Sequence, residues 1–175
     1  MAKLKKMLGN IDSQECIALM HLIETQSKST LATWAIDYAK NNSLRIYEAV
    51  RSDDSRLHSA VLACEAYLNG SKQLKEIKPI LKEAAQIARD TTDHPVAQAA
   101  ARAVSTACAA VQTPTNALGF LFYGAAAVAY STAGLEQTQQ VYDQLASAEL
   151  RKAFDSLQRV SVPEEPHPAK IRWNC

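Results

Sequence analysis

The sequence predicts an all-α protein, a single-domain bundle or short stack of antiparallel helical hairpins with about seven to eight helices. Three observations carry that prediction. Apolar residues recur at steps of three and four along most of the chain, which is the period of a helix face. Gly is scarce, with 5 in 175 residues, whereas a sandwich or barrel needs many turn residues. Between His94 and Ala133, 14 of 40 residues are Ala, the strongest helix former.

The first helix is expected within NIDSQECIALMHLIETQ, with Asp12 as its cap and Glu15 three residues on completing a capping-box pattern. Ser27 to Thr30 is polar and prone to turn. A second helix is expected from about Leu31 to Val50, with Leu31, Ala35, Ala39, Ile46 and Val50 on one side and Trp34 and Tyr38 flanking it. The Asn pair at 41 and 42 is its weak point, because Asn side chains compete for backbone hydrogen bonds. Asp53 or Asp54 is placed to cap the third helix, which carries Leu57, Ala60, Val61, Cys64 and Leu68 inward and ends at Gly70.

Ser71 is the expected cap of the fourth helix, whose face stays in phase across Pro79, favouring a kink or tight join there over a break. Asp93 followed by Pro95 signals the fifth helix, and Thr113 followed by Pro114 the sixth, which runs to about Ala133. The sixth is apolar nearly all round, so other helices must enclose it. Small side chains, with Gly119 and Gly124, let the fifth and sixth pack as a close central hairpin. Gly134 then breaks the chain, and the helical pattern resumes to residue 160 with a phase slip near Ser147, a candidate cap for a further helix. Residues 1–160 are expected to form one helical domain. Residues 161–175 form a tail with three prolines, extended along the surface or disordered.

The net charge is +1, from 19 basic and 18 acidic residues, and no long basic run is present. Non-specific nucleic-acid binding is therefore not expected. The start, MAKLKKMLGN, is basic but lacks the apolar run of a signal peptide. The longest apolar stretch, Ala117 to Tyr130, is shorter than the roughly 20 residues of a membrane span. A cytoplasmic location without membrane contact is the expectation. Cys16, Cys64, Cys108 and Cys175 show no paired spacing, so neither a zinc site nor a redox motif is indicated. Cys64 and Cys108 read as buried small hydrophobes, and Cys175 as an exposed thiol.

Catalytic signals are sparse. The four histidines include no i, i+4 pair, and neither a nucleophile elbow nor a phosphate-binding loop is present. Asp37, Glu48, Asp53 and Asp54 are the one suggestive acidic group, and caps with a charged surface explain them more simply. Arg56 is expected to be reached by Asp37 or Glu48 across the second and third helices, fixing their register. Trp34, Asp37, Tyr38, Glu48, Asp53, Asp54 and Arg56 are the candidate structural or partner-binding residues. No catalytic residue, cofactor or metal is assigned.

Those same segments carry a resemblance. LATWAIDYA from Leu31, YEAVRSDDSRLHSAVLACEAYLNG from Tyr47, and the Ala-rich run from Ala84 to Tyr130 resemble the all-helical immunity proteins of bacterial polymorphic toxin systems, of the immunity-protein-five-like type. The shared pattern is Trp34 three residues before Asp37, the Asp-x-Arg turn of Asp54 and Arg56, Gly70 ending a helix, and Ala-rich helices, over roughly Leu31 to Ala133. Leu57 stands where family members often have Pro, and Gln112 and Asn116 where they tend to carry histidines. Those exchanges favour binding over catalysis.

The resemblance implies a cytoplasmic, non-enzymatic protein whose partner is another protein, a cognate toxin, which it neutralises by steric occlusion. A helical adaptor with a different protein partner would use the same surface, and a homo-oligomer is compatible with it. A metal-binding or catalytic bundle ranks last, because such bundles combine Glu with Glu-x-x-His and this chain has no Glu-x-x-His.

Overall fold

The protein was analysed as a computed structural model, which describes residues 3–173. Among the described residues there are eight helices: α1 (Gln14–Glu24), α2 (Lys28–Asn41), α3 (Ser43–Val50), α4 (Arg56–Leu68), α5 (Leu74–Asp90), α6 (Pro95–Ala109), α7 (Asn116–Ala133) and α8 (Gln139–Val160). The all-helical architecture and the helix number agree with the sequence reading.

The α6–α7 hairpin is the most extensive helix–helix contact and forms the centre of the molecule. The two halves of α7 serve different cores. Its C-terminal half, Ala125, Ala126, Ala127, Ala129 and Tyr130, packs into a cluster shared with α3, α4, α5 and α6. Its N-terminal half, Ala117, Leu118, Phe120 and Leu121, packs into a second cluster with α1, α2 and α8. A Cβ on Gly124 would lie 3.3 Å from the Ser43 hydroxyl oxygen, so this glycine permits the close approach of α3. Gly119 meets only ordinary van der Waals contact and is not needed for it.

The single helix expected from about Leu31 to Val50 is instead two, interrupted at its weak point, at Asn42. Its backbone N–H and its side-chain Nδ2 both donate to the Tyr38 carbonyl, at 3.1 and 2.8 Å. That competition ends α2, and α3 begins one residue later. The third predicted helix, α4, ends as expected. Gly70, at φ +86°, donates to the Tyr67 carbonyl while Ser71 donates to the Ala66 carbonyl, which is the Schellman pairing.

Several cap assignments are corrected. Ser13, not Asp12, caps α1 by accepting from Cys16 N, and Glu15 instead meets Arg151. Gln73, not Ser71, precedes α5, with Glu76 accepting from its backbone N–H. His94, not Asp93, caps α6 through Nδ1, with Pro95 in the first turn as expected. Thr113 caps nothing, and α7 starts at Asn116 without a side-chain cap. α5 runs unbroken through Pro79, which sits on the solvent side where water can satisfy the carbonyl it leaves unpaired. No new helix starts at Ser147: α8 is continuous, and the Ser147 hydroxyl accepts from Arg151. Leu135 precedes α8 and is exposed.

Two extended segments brace the helices. The N-terminal strap crosses α7, with Leu8 N donating to the Phe122 carbonyl and Tyr130 Oη to the Lys5 carbonyl at 2.6 Å. The C-terminal strap lies along the α1–α2 junction. The buried Gln26 side chain accepts from Val162 N and donates to the Val162 carbonyl, and Ala169 N donates to the Gln26 carbonyl. Glu165 caps the same place, accepting from Ser27 N and from the Thr30 hydroxyl. Residues 161–173 form no helix and pass along this junction through a turn and a bend, with Glu164 and His167 at positive φ. Cys64 and Cys108 are buried, as expected, and the reading of Cys175 falls outside the described residues.

Candidate functional site

The turn between α3 and α4 gathers most of the charged residues singled out in the sequence. Asp54 is its hub. Its carboxylate accepts two bonds from the Arg56 guanidinium, both at 2.9 Å, and one from Arg56 N at 3.1 Å. It also accepts from the Tyr47 hydroxyl at 2.7 Å. The Arg56 hydrogen bonds hold the Asp54 carboxyl well below the usual carboxylate range, and Asp54 in turn pushes the Arg56 guanidinium up. Burial, then the bond to Asp54, pushes the Tyr47 phenol up to about 12.

Two further pairs flank the hub. Arg51 reaches Asp93 at 2.5 Å, tying the turn to the start of α6, and His58 meets Glu48 at 3.1 Å. Asp53 is exposed beside them. Exposed ion pairs contribute little stability each, so this network mainly fixes where the charges point. Tyr47 is 1% exposed and anchors the network to the core.

The sign of the Asp54 shift gives a pH dependence. Its folded pKa lies below the ordinary value of 3.8, so its contribution is complete above that value and is lost as pH falls through the acid range. Asp54→Ala is expected to cost about 1–2 kcal/mol at neutral pH, because Tyr47 and Arg56 lose their acceptor. The penalty should shrink in acid. A chemical-denaturation series across pH tests both statements, and a pH-independent difference would refute the second.

The aromatic residues of the sequence set lie elsewhere. Trp34 and Tyr38 are buried on α2, with ring centroids 5.9 Å apart, and each meets the Phe120 ring edge-on, at 5.5 and 6.2 Å. Trp34 Nε1 donates to the Ser156 hydroxyl on α8. Tyr38 Oη donates to Glu149 on α8 at 2.7 Å. Burial raises the pKa of both Tyr38 and Glu149, and the Tyr38 bond offsets part of the rise for Glu149. Lys152 lies 5.9 Å from the Tyr38 ring centroid and donates to Asn42 Oδ1.

Asp37 does not belong to this set. It is exposed, accepts from Asn41 Nδ2 at 3.3 Å, and lines an open groove between α2 and α4 with Ile36, Glu65 and Leu68. The expected reach of Asp37 or Glu48 to Arg56 is corrected: Asp54 takes the guanidinium from two residues away. Asp37→Asn should change stability by no more than about 0.5 kcal/mol, read from the urea midpoint. A loss several times larger would restore a structural role.

Glu149 is the residue that sequence reasoning missed. It lies 111 positions from Tyr38, so no local pattern announces it. The available signal was a carboxylate in phase with the apolar face of α8, next to Leu150 and three residues from Ala146.

Among the described residues, no group of three or more His, Cys, Asp and Glu is placed to hold a metal ion. Among the same residues, no helix is long and apolar enough to cross a membrane. The clefts near the sequence set are open and shared between polar and apolar side chains, as in the groove that Asp37 lines. Together these side chains make an all-helical scaffold with ordered charge on its surface.

The family model described as Imm-5 like putative immunity protein matches residues 21–151, about three quarters of the chain. The chain belongs to that family, in agreement with the resemblance read from its segments. Neither a curated protein nor a solved structure matches it.

Proposed function

We propose that this protein binds a cognate bacterial toxin in the cytoplasm and neutralises it by steric occlusion, performing no chemistry of its own. The family speaks for an immunity role and a protein partner. The observation that carries the proposal further is the fixed charge pattern of the α3–α4 turn. An inhibitor gains when its polar groups are ordered before contact, since it then loses less freedom on binding. Asp54 and Arg56 are held by four hydrogen bonds around one carboxylate, on a base formed by the buried Tyr47. Glu48, Asp53 and Arg51 extend the pattern with both signs of charge, which suits capture of a partner of complementary pattern. Trp34 and Tyr38 serve this surface indirectly, by fixing α2 against α7 and α8.

The test is co-expression with each candidate toxin encoded near this gene. The intact chain should restore growth and form a stable complex. Asp53→Lys combined with Arg56→Glu should abolish rescue while the protein stays folded by circular dichroism. Full rescue by that variant would move the contact elsewhere. No rescue by the intact chain, with a stable complex on a non-toxic partner, would replace the proposal with the adaptor reading.

A further inference from the structure

The basic start of the chain has no role in the reading above, and the structure places it against α6. Leu4, Lys5 and Lys6 on the strap border a small, half-open pocket with Pro95, Gln98, Ala99 and Arg102 on α6 and Tyr130 on α7. Its volume is about 130 Å³, and its lining holds three cationic side chains and no carboxylate. That space equals roughly four liquid-water volumes, enough for one tetrahedral oxyanion.

Three features separate this cluster from ordinary surface lysines. Arg102 is the one charged residue of α6 and is half-buried, and none of the ion pairs among the described residues involves it. The lining of the pocket offers its guanidinium no counter-charge. The strap that carries the two lysines is pinned at both ends of the crossing, by Tyr130 Oη on the Lys5 carbonyl and by Leu8 N on the Phe122 carbonyl. Tyr130 is held edge-on to Tyr142 at 5.0 Å, and Tyr142 Oη donates to the Gly134 carbonyl, so the pin itself is fixed. The Gln98 side-chain amide, free of any hydrogen bond among the described residues, adds a neutral donor.

Lys5 also borders a larger polar cleft, but the acids there are engaged. Glu15 is taken by Arg151 at 3.0 Å and Asp143 by Gln139 at 2.7 Å. Like charges gathered without a counter-charge oppose folding, and a bound anion reverses that.

We infer that Lys5, Lys6, Gln98 and Arg102 form a binding site for a phosphate group, as inorganic phosphate or as the phosphate of a small ester. Three cations match the double charge of phosphate, and the Arg fork matches its geometry. The site takes Lys5 and Lys6 from the strap, which precedes the family-matched residues 21–151, and Gln98 and Arg102 from within them.

Calorimetric titration of the full chain tests it, with sodium phosphate and a nucleoside monophosphate as separate ligands against sodium chloride at equal ionic strength. Saturable binding of either phosphate compound is expected, and the tighter one identifies whether the group comes free or as an ester. Arg102→Gln should weaken binding by about tenfold or more, with Arg102→Lys retaining part of it. The Lys5→Gln, Lys6→Gln double variant, on the exposed strap, should weaken binding without lowering the melting temperature in chloride. Heat that follows ionic strength alone, or equal affinity in the variants, overturns the site. Binding of an acidic peptide but of neither phosphate compound also overturns it, in favour of a surface for protein carboxylates.

Discussion

Phe120→Ala is expected to cost about 3–5 kcal/mol, a large part of what a domain of this size has. Phe120 is 1% exposed and sits where α7 faces α2. Its removal leaves a cavity and also deletes two edge-to-face contacts, to Trp34 and to Tyr38. The neighbours on α2 and α7 are short, including Ala35, Ala39 and Ala117, so few side chains can swing in to fill the void. Urea denaturation followed by far-ultraviolet circular dichroism reads the loss directly. Phe120→Leu, which keeps most of the volume, should recover a good part of it. A cost below about 1 kcal/mol for the alanine variant would mean that the helices collapse around the site, against the packing described above.

The second large effect is expected at Tyr38. Tyr38→Phe removes the phenolic donor from a carboxylate that is 7% exposed, and should cost about 2–3 kcal/mol where Glu149 is ionised. Glu149→Gln keeps an acceptor for Tyr38 and removes the buried charge, so it should be neutral or stabilising. The pH dependence follows from the direction of the shift. Burial raises the folded pKa of Glu149 above 4.5, so the folded protein holds this proton more tightly than the unfolded chain. The contribution is complete below the unfolded pKa and is lost as pH rises through the folded one. Tyr38→Phe removes a bond that favours the ionised form, moving the loss to higher pH. Stability curves across this window should slope downward in the native protein and flatten in Glu149→Gln. An unchanged slope in that variant would assign the dependence to another group.

The fold was readable in the sequence where the signal is local and strong. The steps of three and four around Val61, the Gly70 ending and the Ala-rich hairpin all specify their own conformation, and the break at Asn42 follows from side chains that compete with the backbone. Cap residues were missed by one or two positions because local preference for Ser and Asp was overridden, at α5 and α6 in favour of Gln73 and His94. Tertiary contacts choose between them, as when Arg51 takes Asp93 and leaves the cap to His94. The continuity of α8 overrode a phase slip because Glu149 occupies an inward position that the pattern reads as polar. Of the candidate residues, Asp54 and Arg56 were singled out, but spacing pointed Arg56 across the helices to Asp37 or Glu48 and not to Asp54 two residues away. The Tyr38–Glu149 pair was not legible, since burial of a carboxylate depends on a helix more than one hundred residues away.

The C-terminal strap also sets an order of events during folding. Gln26 and Val162 are 136 positions apart, so the bonds between them close one of the longest loops in the molecule. The contacts between successive helices, such as α4 with α5, α5 with α6 and α6 with α7, need far shorter closures and are the faster to form. During synthesis the helices can assemble while the α1–α2 junction still lacks its cover, with the Gln26 amide and Ser27 N–H facing water. Docking of residues 162–169 is then a late step, and the interval before it is when this junction is most open to proteases and to other chains.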